Sequence, residues 1–286
     1  MKNQIPWIVL LVFFTSFQWA AFTNAQHANS FPFGKKLAPN GVFIPDRNEA
    51  IGQTYSDNGV FKATYSIGNV TDENRELTGF TLSKEDQPVY GMDILPGADL
   101  LVSNSGMVAV FDMDLHFKQQ VTVHLYDPAG SPVKSKTFSY ASLFGFAPKG
   151  NTFVAGTDRT LMVMDLANNR SVNLGSCSQY AFSDDESWLI TAREDKIWLY
   201  KGLELEAEIN TALFYPRAVA VDPDLGLAIV VGKKELKAYQ LSDHTLRYES
   251  CAPANASYRD VMVCGGLVYA GIHDRQDGVS KGIVRT

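Results

Sequence analysis

Three stretches of the chain follow one pattern, and their aligned parts contain no insertion or deletion. Each runs apolar strand, polar turn, apolar strand, short polar turn, apolar strand. Leu161, Ile197 and Leu236 occupy one equivalent position in the three copies. The copies span Phe144–Leu166, Tyr180–Tyr200 and Val219–Tyr239. A chain that repeats a strand-turn-strand unit in this way is restricted to a repeat architecture.

Further units extend the repeat in both directions. The last apolar residue before each polar turn aligns the units, at a spacing of roughly 40 residues. These residues are Tyr55, Ile94, Phe146, Phe182, Val221 and Val263. Such a period, with short strands and no amphipathic helical pattern, is typical of propeller blades. We therefore predict an all-β fold, a β-propeller of about six four-stranded blades, with about seven as the alternative.

Two parts of the repeat are irregular. The interval after Ile94 is long and contains the apolar runs Val121–Asp127 and Pro132–Phe138, which predict an elongated or additional outer hairpin on the second blade. The last unit has two clear strands and a weak third. Because a propeller protects its strand edges by closing its ring, we predict that an N-terminal strand at Gly41–Pro45 completes the last blade.

The first residues have the composition of a secretory signal peptide. Lys2 precedes an apolar run, and small residues lead to Ala25. This order predicts a cleaved signal peptide over residues 1–25, with an uncleaved membrane anchor as the alternative. Residues 26–40 are predicted as a linker, and residues 41–286 as a single propeller domain without a membrane span. The expected location is secreted, periplasmic or at the cell surface.

The charge balance excludes some partners. The chain carries 25 Lys and Arg against 31 Asp and Glu, and removal of Lys2 with the signal peptide leaves a net charge of −7. An acidic surface argues against nucleic acid or an anionic membrane as the main partner. We therefore expect a protein partner or a small anionic ligand bound at a local cationic site.

The chain contains three cysteines, Cys177, Cys251 and Cys264. In an oxidising compartment Cys251 and Cys264 could form a disulfide, because both flank strands near the end of the chain. The alternative, which we favour, is three small buried thiols. The absence of a C-x-x-C pair gives no support to structural zinc or to thioredoxin-type redox chemistry.

The polar turns resemble those of a known repeat family. Ala147–Gly150, Ser183–Glu186 and Asp222–Gly226 each lie between apolar strands. They are similar to the "SPDG" turn of bacterial TolB-like and WD40-like β-propeller repeats, over roughly Val89–Ala270. The chain has no Trp-Asp pair and no Gly-His pair, so the resemblance does not imply the hydrogen-bond network of eukaryotic WD40 repeats. It implies a fold and not a particular function.

The repeat register predicts a candidate ligand site. The position four residues before each aligned apolar residue begins the innermost strand of a blade, at the rim of the central channel. Arg217 and Arg259 occupy this position in adjacent units, and two guanidinium groups at one channel mouth would bind an anion or a carboxylate. The alternative is that each arginine pairs with a neighbouring acid such as Asp260. The predicted channel-mouth residues are Arg217, Arg259, Tyr215, Tyr258 and Tyr90.

A second candidate site would hold a metal ion. Asp112, Asp114 and His116 alternate along a predicted strand, so their side chains would share one face. Two carboxylates and an imidazole could hold a divalent cation. The alternative is a solvated strand edge, where charges discourage pairing with another strand. No other cofactor is predicted.

The motifs of several enzyme classes are missing. The chain has no G-x-S-x-G, H-E-x-x-H, G-x-x-x-x-G-K-[ST] or G-x-G-x-x-G sequence. The sequence therefore favours a non-catalytic binding scaffold that takes a protein partner or a small anionic ligand at the channel mouth. Two alternatives remain: a propeller-type hydrolase or lactonase with a metal site, and a module of a larger surface protein.

Overall fold

The structure is a computed structural model that describes most of the chain from residue 49 onward. The described residues are 29–30, 42–44, 49–67, 78–94, 99–113, 120–139, 141–157, 160–175, 177–213, 215–264, 266–274 and 280–285. They form 25 β-strands in six antiparallel sheets. Within these ranges no helix has the length and apolarity that crossing a membrane would require. The predicted signal peptide lies outside the described residues.

Each sheet is built around consecutive strands, and one sheet also contains a short strand from an earlier part of the chain. Sheet 1 contains β2 (Val42–Ile44), β3 (Glu49–Tyr55), β4 (Phe61–Ile67), β5 (Thr78–Lys84) and β6 (Gln87–Ile94). Sheet 2 contains β7 (Asp99–Val102), β8 (Val108–Met113), β9 (Gln120–Tyr126) and β10 (Pro132–Ser139). Sheet 3 contains β11 (Ala141–Phe146), β12 (Thr152–Thr157), β13 (Thr160–Asp165) and β14 (Arg170–Gly175), with β1 (Asn29–Ser30) paired to β11.

The second half of the chain continues this order. Sheet 4 contains β15 (Gln179–Phe182), β16 (Trp188–Arg193), β17 (Lys196–Lys201) and β18 (Glu204–Asn210). Sheet 5 contains β19 (Ala218–Asp222), β20 (Leu227–Val231), β21 (Glu235–Gln240) and β22 (Leu246–Cys251). Sheet 6 contains β23 (Ala256–Cys264), β24 (Leu267–Asp274) and β25 (Ser280–Arg285).

The sheets are arranged as propeller blades. The strand that precedes the repeated turn contacts the equivalent strand of the next sheet, as β3 does with β7, β7 with β11, β15 with β19, and β19 with β23. These strands are therefore the inner strands, and β6, β10, β14, β18 and β22 lie outermost in their sheets. The prediction of an all-β fold made of four-stranded propeller blades is confirmed, with sheet 6 having three strands in the described residues.

The hydrophobic core lies between neighbouring sheets. Five buried clusters each join the facing sides of two consecutive sheets. Between sheets 2 and 3, the rings of Phe111 and Phe144 lie 4.8 Å apart. Strands buried on both faces have few polar residues, and the first five residues of both Thr152–Thr157 and Trp188–Arg193 are buried. Face-to-face packing of sheets therefore stabilises the blade order.

One turn recurs after each of the first four inner strands. In sheet 1, Ser56 N donates to Phe61 O at 2.9 Å and Gly59 N donates to Ser56 O at 2.8 Å. Sheets 2, 3 and 4 repeat this pair of bonds with turns that begin at Ser103, Ala147 and Ser183. The fourth turn residue has positive φ in all four sheets, which explains why three of the four are glycine. We call these connections the inner turns.

The position of the inner turn in sheet 2 shows that the predicted alignment of the second unit is wrong. Its inner turn begins at Ser103, so its aligned residue is Val102 and not Ile94. Ile94 ends β6, which is bound to β5 through a two-residue turn, Glu85 and Asp86, with φ values of 48° and 64°. Two consecutive positive φ values produce a tight hairpin that places β6 in sheet 1. The predicted extra hairpin is the ordinary outer pair of sheet 2, β9 and β10.

The prediction for the closing strand is wrong. Val42–Ile44, the core of the predicted Gly41–Pro45 strand, pairs with Glu49–Ile51 in sheet 1 and not with sheet 6. A connection of only four residues favours this antiparallel hairpin over a distant pairing. In the predicted linker, Asn29–Ser30 pairs with Leu143 and Phe144 of β11. Short strands therefore add to the inner edges of sheets 1 and 3.

The predicted disulfide between Cys251 and Cys264 is wrong, and the favoured prediction of three buried thiols is right for the free state of Cys177 and Cys251 but not for their burial. Cys251 is a free and exposed thiol, and Cys177 is a free and half-buried one. Cys251 ends the outermost strand of sheet 5, whereas Cys264 ends the innermost strand of sheet 6, so the pairing is not made. Burial raises the pKa of the Cys177 thiol to about 12, which leaves it as an unreactive neutral group.

Candidate functional site

Three cationic residues meet where sheets 5 and 6 adjoin. Arg217 precedes β19, Lys233 lies between β20 and β21, and Arg259 belongs to β23. The backbone of Tyr258 links them, because its N–H donates to Lys233 O at 3.0 Å and its carbonyl accepts from Arg217 Nη1 at 3.0 Å. Arg259 is the next residue in the chain. We call Arg217, Lys233 and Arg259 the cationic corner.

Arg259 is the extra residue of a β-bulge. Tyr258 lies opposite Ile272 of β24, and Asp260 lies opposite Gly271, so Arg259 has no partner residue in the ladder. A bulge bends its strand and redirects the side chain of the additional residue. The side chain of Arg259 is exposed. The bulge therefore presents this guanidinium at the surface instead of in the face of the sheet.

The cationic corner has no acidic partner in the described part of the chain. None of the ion pairs between described residues includes Arg217, Lys233 or Arg259. Asp260, the acid that the sequence suggested for Arg259, accepts a hydrogen bond from Val261 N at 2.9 Å through Oδ1. Arg217, Lys233 and Arg259 therefore carry positive charges on adjoining segments, and no described acid forms an ion pair with them.

Lys233 was missed by the sequence analysis. The repeats were compared only at the positions that begin each inner strand. Lys233 lies instead in the turn between the second and third strands of sheet 5. Its neighbour Lys234 has a structural role, because its Nζ donates to Pro253 O at 3.2 Å and to Ala254 O at 2.7 Å. Lys233 itself is exposed. Because β19 and β20 are antiparallel, the turn after β20 lies beside the residues that precede β19. This pairing was the sequence signal that could have identified Lys233.

Tyr215 lies two residues before Arg217 in the chain. Its side chain is 71% exposed, and its backbone has a φ of 59°. The left-handed region costs a bulky residue about 1–2 kcal/mol, and such strain concentrates at functional sites. The loop is fixed at its start by Thr211, whose Oγ1 donates to Asp195 O at 2.8 Å. An anchored loop therefore presents an aromatic ring to solvent next to Arg217.

The other two predicted tyrosines lie elsewhere. Tyr258 is only 3% exposed and its hydroxyl lies 3.2 Å from Ser250 Oγ, so its side chain supports the corner from inside. Tyr90 lies on β6, the outermost strand of sheet 1, with its ring 5.7 Å from that of Phe80. Burial and the charge of Asp127 raise the pKa of Tyr90. The structure therefore places Arg217 and Arg259 on adjoining segments, with Tyr215 two residues before Arg217, and it places Tyr90 on the outermost strand of sheet 1.

The candidate metal site is largely outside the described residues. Asp112 lies half-buried on β8, opposite Thr122 of β9. Asp114 and His116 are outside the described ranges. Among the residues that the structure describes, no group of three or more His, Cys, Asp or Glu side chains could hold a metal ion. The metal-site hypothesis stays a prediction.

The opposite end of the blades carries the inner turns, which are linked from sheet to sheet. Asn58 N donates to Asn104 Oδ1 at 2.8 Å, and Asn104 Nδ2 donates to Pro148 O at 2.7 Å. Glu186 Oε1 then accepts from Gly150 N at 3.0 Å. These bonds join sheets 1, 2, 3 and 4 in succession. We call this series of bonds the turn belt.

Between the turns of sheets 4 and 5 the described residues make no bond of this kind, and acidic residues lie there instead. A small cleft at this end of sheets 4, 5 and 6 is lined by Asp184, Asp185, Val221, Asp222, Pro223, Asp224 and Val263. Burial raises the pKa of Asp184, and the charges of Asp222, Asp185 and Asp224 raise it further. The two ends of sheet 5 therefore differ in charge: the end with Arg217 is cationic, and the end with Asp222 is acidic.

Comparisons with known proteins identify the fold. No protein-family model matches the chain, and no curated protein sequence matches it significantly. The crystal structure of the C-terminal WD40 domain of Sif2 is similar, with a TM-score of 0.51 and 13% sequence identity, over 80% of this chain and 68% of that one. At this identity the likeness shows the fold alone. The chain has a WD40-like propeller fold.

Proposed function

We propose that the protein is a non-catalytic binding scaffold, secreted or periplasmic, that holds an anionic ligand at the cationic corner. Propellers of the WD40-like fold are commonly binding scaffolds. Their blades give a rigid frame, and the loops at the ends of the strands carry the contacts. The ligand class follows from the local charge, because guanidinium and ammonium groups bind carboxylates and phosphates.

The observation that carries this proposal is that three cationic residues lie on adjoining segments and form no ion pair with an acid in the described part of the chain. Like charges held close together repel one another, and a chain with 31 acidic residues has acids available to neutralise them. The Tyr258 backbone nevertheless holds Arg217 and Lys233 beside Arg259. An anion placed between them would remove this repulsion and gain charge-assisted hydrogen bonds.

The test is titration with anionic probes at low ionic strength. Citrate, inorganic phosphate and a ten-residue glutamate peptide would each be titrated into the wild-type protein and the K233A/R259A double variant. Arg247→Ala is the matched control, because Arg247 is an exposed arginine on β22 of the same sheet. We expect at least one probe to bind the wild type and the control, and to lose affinity for the double variant. Equal affinity of every probe for all three proteins would refute the proposal.

A further inference from the structure

The side chains of the cationic corner are as exposed as those of a surface that binds a macromolecular partner. Lys233 and Arg259 are exposed, and the ring of Tyr215 is 71% exposed. Small ligands bind in concave sites that bury most of their surface. A partner that spreads over an open surface gains instead from several charged and aromatic contacts. The geometry therefore favours a segment of a protein over a small free anion.

The arrangement of the cations fits an extended acidic chain. The three residues belong to three chain segments that lie side by side, joined through the Tyr258 backbone. Adjacent segments in a sheet are about 4.8 Å apart, and alternate residues of an extended chain are about 6.6 Å apart. Long lysine and arginine side chains can span this difference. Carboxylates at alternate positions of one extended segment can thus each reach a different cation.

Tyr215 adds a contact that a free anion would not need. Its backbone strain is held by the loop anchored at Thr211, and the ring lies two residues before Arg217. Tyrosine supplies a large, rigid contact area with little loss of side-chain entropy, and it is enriched at protein interfaces. The ring can cover an apolar side chain or the backbone of the bound segment beside its carboxylates.

We propose that the cationic corner and Tyr215 form a docking surface for an acidic segment of a partner protein, bound in extended form. This inference rests on the proposed function and specifies its ligand. Two other occupants are distinguishable by experiment. One is a small free anion, and the other is a second copy of this chain that presents its own acidic cleft around Asp184 and Asp222.

The experiment compares a ten-residue peptide of alternating glutamate and alanine with citrate, on the same set of proteins. We expect the peptide to bind more tightly than citrate, with an affinity that falls as salt rises. Each exposed charge contact contributes about threefold, so K233A/R259A should weaken the peptide about tenfold. Tyr215→Ala should weaken the peptide severalfold and leave citrate unchanged, Tyr215→Phe should retain binding, and Arg247→Ala should match the wild type.

Several outcomes would overturn the docking surface. If citrate binds as tightly as the peptide and depends on Lys233 and Arg259, the corner holds small anions; the proposed function survives and the acidic segment does not. If neither probe depends on these residues, both proposals fail. If low-salt sedimentation shows self-association that D184N/D222N abolishes, and the wild type does not bind the peptide, the occupant is a second copy and the partner segment is excluded.

Discussion

Arg217 Nη1 donates to the carbonyl of Tyr258 at 3.0 Å, and this bond joins the beginning of sheet 5 to the inner strand of sheet 6. Within the described residues it is the one hydrogen bond of this guanidinium. Arg259, the next residue after Tyr258, is exposed and makes no ion pair in the described part of the chain. Two arginines at equivalent repeat positions thus differ: Arg217 uses one Nη1 bond to join two sheets while it remains part of the cationic corner, and Arg259 makes no such bond to a described residue.

Replacing the two arginines one at a time should lower the stability of the protein to different degrees. Arg217→Ala removes a charged donor to a backbone carbonyl and should lower the free energy of unfolding by about 1 kcal/mol. Arg259→Ala removes an exposed side chain and should change it by less than about 0.5 kcal/mol. Urea denaturation of the two variants measures both values. Equal losses of stability would show that Arg259 also has a structural contact.

The turn belt should depend on Glu186. Its carboxylate accepts hydrogen bonds from the N–H groups of Lys149 and Gly150 in the neighbouring sheet. Glu186→Ala leaves these donors without an acceptor and should lower the free energy of unfolding by about 2 kcal/mol. Glu186→Gln keeps an acceptor oxygen, and burial already disfavours the charge by raising the pKa of Glu186, so this variant should lose less. Denaturation of the pair tests the expectation, and a Gln variant as unstable as the Ala variant would contradict it.

The inner turns of sheets 1 and 2 provide a matched pair of glycines. Gly59 and Gly106 occupy the same turn position with φ values of 70° and 86°. A Cβ at Gly106 would lie 2.7 Å from the Phe61 ring, whereas a Cβ at Gly59 would meet nothing within 4 Å. Gly59→Ala should therefore cost about 1 kcal/mol from backbone strain alone.

Gly106→Ala adds a steric clash to that strain. Because the Phe61 ring is buried between sheets 1 and 2, it cannot move away without disturbing the core. We expect a loss of stability about 2 kcal/mol larger than that of Gly59→Ala. Thermal and urea denaturation of both variants measure the difference. Similar losses would show that the Phe61 ring can shift at little cost.

The sequence predicted the propeller and its regular central part, because the copies between Phe144 and Tyr239 have nearly constant length. It misplaced the second unit for a local reason. Ser103–Gly106 is the true inner turn, but Pro96-Gly97 has the stronger turn composition, and the tight turn at Glu85 and Asp86 lacks the glycine that would mark it. Side-chain composition did not reveal these backbone conformations.

The candidate site was predictable only in part, for a tertiary reason. Equivalent repeat positions identified Arg217 and Arg259, since a repeat returns the same position to the same part of each blade. The burial of Tyr258 and the arrival of Lys233 depend on how sheets 5 and 6 pack. The bulge at Arg259 depends on the pairing with β24. No pattern in the local sequence predicts any of these contacts.

The contribution of Asp184 to stability should fall as the pH rises. A carboxylate whose pKa is lowered by favourable contacts shows the opposite dependence. Burial, then Asp222, Asp185 and Asp224, raise the pKa of Asp184 above 3.8 in the folded protein. The folded state therefore holds this proton more tightly than the unfolded state does. Its contribution favours folding at a pH below 3.8 and is lost as the pH rises through the folded pKa.

Asp184→Asn should therefore stabilise the protein at pH 7, with the gain fading as the pH falls through the raised folded pKa of Asp184 and gone below 3.8. Asp243 is the control of opposite sign, because hydrogen bonds from the Thr245 N–H and hydroxyl lower its pKa. The Asp243 carboxylate contributes stability above 3.8 that is lost as the pH falls through its folded pKa, so Asp243→Asn should destabilise the protein at pH 7. Melting temperatures of both variants and the wild type between about pH 3 and pH 8 test the pair. A loss of stability in Asp184→Asn at pH 7 would mean that its carboxylate is held by a favourable contact rather than by repulsion.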